Sequence, residues 1–114
     1  MATTTEAVLQ HHVQALMSGN LDELLKDYTE ESVFFYPQGT SKGLKNIRAA
    51  FTSMQKMFPA DLLAKMKHIK QDIQGDYVYV LWSAPPAIPF GGDSFCVRNG
   101  KIMMQSVFMG QPGR

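Results

Sequence analysis

The spacing of apolar residues changes period along the chain, and each change marks an element. Val8, Leu9, His12, Val13, Leu16 and Met17 recur at intervals of three and four, which predicts a helix with one apolar stripe. Thr3 and Glu6 have capping-box spacing at its start, and Gly19 closes it. Asn20 and Glu23 repeat the capping pattern and open a short second helix through Leu21, Leu24 and Leu25. Residues 32–36 are β-branched and aromatic, so a strand is expected, with Pro37 ending its ladder. The helical period returns in Leu44, Ile47, Phe51, Met54 and Phe58, a third helix with Pro59 just beyond it.

The remainder reads as strands. Residues 65–73 alternate weakly, Gly75-Asp76 makes a tight turn, and 77–84 (YVYVLWSA) is a strong strand. Pro85, Pro86, Pro89, Gly91 and Gly92 then predict a long loop, since a central strand tolerates such residues poorly. Residues 93–98 and 101–109 flank Asn99-Gly100, the strongest short-range hairpin signal. Helix, helix, strand, helix and about four strands make an α+β layout. With too few helices to cover both faces, the sheet curls around them, and the hollow between is a natural ligand pocket.

The register of the last hairpin stays open. A two-residue turn pairs Asp93 with Ser106 and brings Met104 onto its face. A three-residue loop with a glycine bulge pairs Asp93 with Gln105, and Met103, Val107 and Met109 join that face.

Composition narrows the class. A chain of 114 residues, 45% of them apolar, suits one domain spanning 1–114 with one core. Its 11 basic and 10 acidic residues leave a net charge of +1, no reason to invoke nucleic acid or a membrane surface. No apolar run approaches the ~20 residues of a spanning helix. MATTTEAVLQHH lacks the basic-then-apolar order of a signal peptide, and the single Cys96 excludes an intramolecular disulfide. A soluble cytoplasmic domain is expected. No glycine-rich phosphate loop is present. Adjacent His11 and His12 point apart on a helix, and His68 lies on a strand without an obvious partner. No metal, nucleotide or flavin cofactor is therefore expected.

Three stretches carry a resemblance: AVLQHHVQALMSGNLDELLKDYTEESVFFYPQGT, then KGLKNIRAAF, then DSFCVRNGKIMMQSVFMG. Together they resemble the nuclear-transport-factor-2-like superfamily, in its SnoaL-like and ketosteroid-isomerase-like branch. The resemblance implies a cystatin-like cone, three N-terminal helices packed against a curved, mostly antiparallel sheet. It also implies a small-molecule pocket, on a scaffold shared by isomerases, cyclases, dehydratases and non-catalytic binders. The isomerases of that branch use a first-helix tyrosine, a proton-moving aspartate before a proline on the first strand, and a protonated aspartic acid on a later strand. Those positions fall here on His12, Tyr36 and Asp93, so one of the three is retained. A phenol with a pKa near ~10 donates hydrogen bonds and is a very poor base. This sequence is thereby set apart from steroid isomerisation by the usual route.

Asp93, His12 and Tyr36 are the candidate catalytic residues. Asp93 follows Gly91-Gly92 and shares a strand face with Phe95 and Val97, where apolar surroundings would raise its pKa toward acid or base work. It could equally cap a loop at a strand start. His12 could meet a ligand oxygen or be a core histidine bonded to a backbone carbonyl. Tyr36 could polarise an oxygen or simply pack. Phe51, Phe95, Trp82, Gln105, Val107 and Met109 are the expected lining. Two functions remain: proton transfer next to a carbonyl on an apolar, oxygen-bearing ligand, or a non-catalytic module that dimerises through its sheet. The apolar residues on both faces of YVYVLW suit a sheet covered by a second subunit.

Overall fold

The computed structural model describes residues 4–57 and 61–110. The chain runs α1 (Thr5–Ser18), α2 (Leu21–Leu25), β1 (Val33–Tyr36), β2 (Gly39–Lys42), α3 (Leu44–Met57), a 3₁₀ turn (Leu63–Lys65), β3 (Lys67–Gln74), β4 (Tyr77–Ala84), β5 (Ile88–Arg98) and β6 (Lys101–Met109). The six strands form one curved sheet in the order β2-β1-β6-β5-β4-β3. Every neighbouring pair is antiparallel except β1 and β6. The helices pack on one face of this α+β fold, though α3 follows the β1–β2 hairpin and so is not N-terminal to the whole sheet. No helix among the described residues is long and apolar enough to cross a membrane.

Both capping positions work, one of them shifted. Thr4 caps α1 through its hydroxyl, which accepts from the Ala7 N–H, whereas Thr3 lies outside the described residues. Gly19 closes α1 at φ 72°, a left-handed conformation that favours glycine. The Asn20 side chain accepts from the Glu23 N–H, while the Glu23 carboxylate turns to His11 and Lys26. Leu9, Leu24, Phe34, Ile47, Phe51 and Phe95 form the heart of the core. Phe58 and Pro59, expected at the end of α3, lie outside the described residues.

The structure corrects the sequence reading in three places. β2, expected to be loop, pairs back on β1 with Phe34 opposite Ser41. Its residues, GTSK, carry no apolar alternation, so the strand arises from its partner and not from its own pattern. The long loop expected across 85–92 is only a turn, because β5 already begins at Ile88. Gly91 and Gly92 are strand residues that make room for rings. A Cβ on Gly91 would stand 2.7 Å from Trp82 Cζ2, and one on Gly92 would stand 2.5 Å from Phe108 Cε1.

The third correction is the hairpin register: the pairing matches neither alternative, although Gln105, Val107 and Met109 do share the face of Asp93 as the three-residue loop would place them. Asn99 (φ 53°) and Gly100 (φ 75°) form a two-residue turn that pairs Arg98 with Lys101. The ladder then slips between Cys96 and Val97, so Asp93 pairs with Val107 and Phe95 with Gln105. Met103 is the extra residue of that bulge. In an unbroken strand Ile102 and Gln105 would face opposite ways; the inserted residue turns both inward.

Candidate active site

Between the helices and the concave sheet face lies a cavity of about 410 Å³. α1 contributes Leu9 and His12 to its wall, α3 contributes Phe51 and Met54, and β4 contributes Val80 and Trp82. The inward register of β5 and β6 adds Asp93, Phe95, Gln105, Val107 and Met109. Gln55, His68 and Gln71 are exposed residues that complete the wall, and they bring polar groups to it.

Asp93 is held from two sides. Trp82 Nε1–H donates to its Oδ1 at 2.7 Å, and Gln105 Nε2–H donates to its Oδ2 at 2.8 Å. Gln105 is itself buried, and its Oε1 accepts from the Tyr28 hydroxyl. Burial raises the Asp93 pKa above the ordinary carboxylate value, and the Trp82 and Gln105 donors oppose that rise. The carboxylate is thus a stronger base than a free aspartate, fixed in place, with cavity on its open side.

His12 lies in the same cavity wall at 3% exposure, edge-on to Phe95 (centroids 5.3 Å apart) and to Tyr28 (6.2 Å). Burial, assisted by the neighbouring His11, lowers its pKa to about 4, so the ring is neutral at pH 7. Its Nδ1 is buried without a hydrogen-bond partner. That atom has no exposed surface, so it faces packed protein and not the cavity; Nε2, which is not enclosed in this way, is the ring atom that can meet a ligand.

Tyr36 is not in the cavity wall. It stacks on Phe34 with centroids 5.0 Å apart, and its hydroxyl meets Ser41 Oγ at 3.0 Å. The inner strand face it shares with Phe34 is correct, but the β1–β2 hairpin carries its polar end to β2. The expected convergence of residues 12, 36 and 93 therefore reduces to His12 and Asp93. Tyr28 was missed. It lies in the irregular stretch after α2, and only the β6 register reveals that its hydroxyl meets Gln105.

His11 serves elsewhere. Its Nδ1 lies 2.6 Å from Asp27 Oδ2 and its Nε2 lies 2.8 Å from Glu23 Oε1, so it links α1 to α2 and the segment after it. These bonds, Glu23 first and then Asp27, raise its pKa. Among the described residues, no three His, Cys, Asp or Glu side chains are grouped so as to hold a metal ion.

The cavity framed by a curved sheet and helices defines a class of protein, and sequence comparison places the chain within it. A model of the SnoaL-like domain matches residues 9–103, and the chain belongs to that family. Solved structures agree on the fold. An NTF2-like protein of unknown function from Cytophaga hutchinsonii superposes with a TM-score of 0.71 at 18% identity, covering 96% of this chain and 93% of that one. A Xanthomonas campestris protein with a cystatin-like fold gives 0.73 at 16% identity, covering 96% and 92%. TerC, co-crystallised with polyporic acid, gives 0.74 at 15% identity, covering 95% and 92%. No curated protein matches the chain.

Proposed function

We propose that the cavity binds an apolar, oxygen-bearing small molecule and that the chain is a cofactor-independent isomerase, cyclase or dehydratase. The observation that carries this reading is the pairing in one apolar wall of a donor-braced carboxylate, Asp93, with a neutral imidazole, His12. In this scheme Asp93 takes a proton from the carbon beside a ligand carbonyl, and the raised pKa brings its basicity closer to the task. His12 donates to the carbonyl oxygen as negative charge develops there, and Asp93 returns the proton at a second position. Tyr36 has no part in the scheme, because its hydroxyl is engaged with Ser41 outside the wall. Family membership and the TerC fold, seen with polyporic acid, support a small-molecule pocket.

Screening a panel of cyclic ketones and quinones by NMR tests this reading. Binding is expected to move the Asp93 and His12 signals, and His12→Phe is expected to weaken it about tenfold by removing the donor to the carbonyl oxygen. Ligands that shift only residues on the outer sheet face would overturn it.

A second reading has its own observation: Phe35, Tyr77, Tyr79 and Phe108 project from the convex sheet face at 44–58% exposure. That face suits a homodimer, which would accommodate either a catalyst or a non-catalytic interaction module. A cytoplasmic setting fits the lone Cys96.

A further inference from the structure

Gln105 is a side chain with two nearly isosteric ends of opposite hydrogen-bonding character. Shape does not distinguish them; the partners at each end must. Toward β5 the amide faces Asp93, and toward the helices it faces the hydroxyl of Tyr28, which is 3% exposed. If the carbonyl end faced Asp93, it would meet an ionised oxygen acceptor to acceptor. The amide N–H would then donate to the Tyr28 oxygen, and the phenol proton would need another acceptor. Among the described residues the Tyr28 hydroxyl has no other hydrogen-bond partner. A buried hydroxyl proton without an acceptor is costly, so the phenol gives its proton to Gln105 Oε1 and the N–H end turns to Asp93.

We infer that Tyr28 is a positioning residue for Asp93: its hydroxyl locks the Gln105 amide so that an N–H, and not a carbonyl, faces the carboxylate. The inference rests on the reading of Asp93 as the proton-moving group. The order Tyr28 O–H to Gln105 Oε1, Gln105 Nε2–H to Asp93 Oδ2 gives the carboxylate a fixed donor that stays in place as it changes charge. Burial, and then the Asp93 and Asp27 charges, raise the Tyr28 pKa well above that of a free phenol, so the donor end does not ionise in the working range. The lock also confines Asp93 to one job. An amide free to turn would offer its carbonyl to a protonated Asp93 and hold the acid form, removing the base. The other titratable groups around this chain are His12 on α1, Asp27 at the end of the α2 segment and, across the cavity wall, His68 on β3; Lys and Arg do not appear in that wall among the described residues.

Two NMR measurements on the whole protein test this: the pH titration of the Asp93 carboxyl carbon and the hydrogen exchange of the Gln105 side-chain amide. In Tyr28→Phe the Asp93 midpoint is expected to move to higher pH, and Gln105 amide exchange to quicken about tenfold, the loss of one buried hydrogen bond. Ile47→Val, a core change of modest cost that alters none of the bonded side chains, is expected to leave both unchanged. Equal midpoints and exchange rates in wild type and Tyr28→Phe would overturn the lock while leaving Asp93 a candidate base. A wild-type midpoint equal to that of free aspartate would instead overturn the reading of Asp93. If Tyr28→Phe does not fold, 3-fluorotyrosine at position 28 supplies a stronger donor of nearly the same shape. Slower Gln105 exchange is then expected, and an unchanged rate overturns the lock.

Discussion

His12 shows how far an apolar wall can move a single residue. Its pKa is about 4 in the folded chain, against the ordinary 6.5 that the unfolded chain would restore. Between those values the unfolded state binds a proton that the folded state does not, so stability rises with pH across the window and is lost on acidification from 6.5 to 4. The difference corresponds to about 3 kcal/mol at full extent. His11 works with the opposite sign. Its raised pKa gives stability that is complete below its ordinary value and lost as pH climbs through the raised one. Asp93 and Asp27, also raised, favour the folded state on acidification. The difference between wild type and His12→Gln isolates the imidazole from these shared terms. Urea unfolding at pH 7 and pH 4.5 should show the wild type losing about 2 kcal/mol more than the variant on acidification. Equal losses would mean that the ring is hydrated or paired. His12 and Asp93 could both be singled out from sequence, because the resemblance to the isomerase branch falls on them and each shares a face with apolar residues. Tyr28 could not, since its role depends on where Gln105 points across a bulge.

Among the elements, β5 depends most on residues that looked like loop. Gly91 sits opposite Trp82 in the ladder with the indole lying over it, and the same indole braces Asp93 through Nε1. Gly91→Ala forces the ring to give way, because the nearest indole atoms stand 2.7–2.9 Å from the new Cβ. Overpacking of this kind costs about 1–3 kcal/mol. It should also displace the Trp82–Asp93 bond. Trp82 is the only tryptophan in the sequence, so intrinsic fluorescence reports this site alone. A shifted emission maximum together with a lowered unfolding midpoint is expected; unchanged emission would show that the indole is not packed on the glycine. The same pair explains why the strand starts earlier than its sequence predicts. Proline and glycine usually break a strand, yet here glycine supplies the missing volume on both faces, for Trp82 inside and Phe108 outside. Helices α1 and α3 were legible because their period alone decides which face is buried, and strand β4 because its residues are β-branched and aromatic throughout. β2 and the bulge at Met103 are set by partners distant in sequence, and no local pattern encodes them.

At the scale of the molecule, the two faces of the sheet divide the work. The concave face holds the cavity, and the convex face carries Tyr77 and Tyr79 on β4, Phe108 on β6 and Phe35 on β1. Between these rings lie Ser94 opposite Ser106 and Gly92 opposite Phe108, so the middle of the face is low and its margins are raised. The alternating positions that share this face on β4, β5 and β6, from Tyr77 to Leu81, Gly92 to Cys96 and Met104 to Phe108, include no charged residue. A surface with a low, uncharged centre and aromatic margins, with Arg98, Lys70 and Asp72 only at its edges, can meet its own two-fold copy, rings over the small residues. An interface of standard size would need about 800 Å² from each subunit. Placing a carboxylate in the middle, as in Ser94→Glu, would set like charges against each other across the two-fold axis without entering the cavity. Sedimentation velocity at tens of micromolar should give a dimer for the wild type and a monomer for this variant, with circular dichroism unchanged. A wild type that sediments as a monomer at that concentration would remove the homodimer and leave the cavity reading intact, since every residue used in that reading comes from one chain.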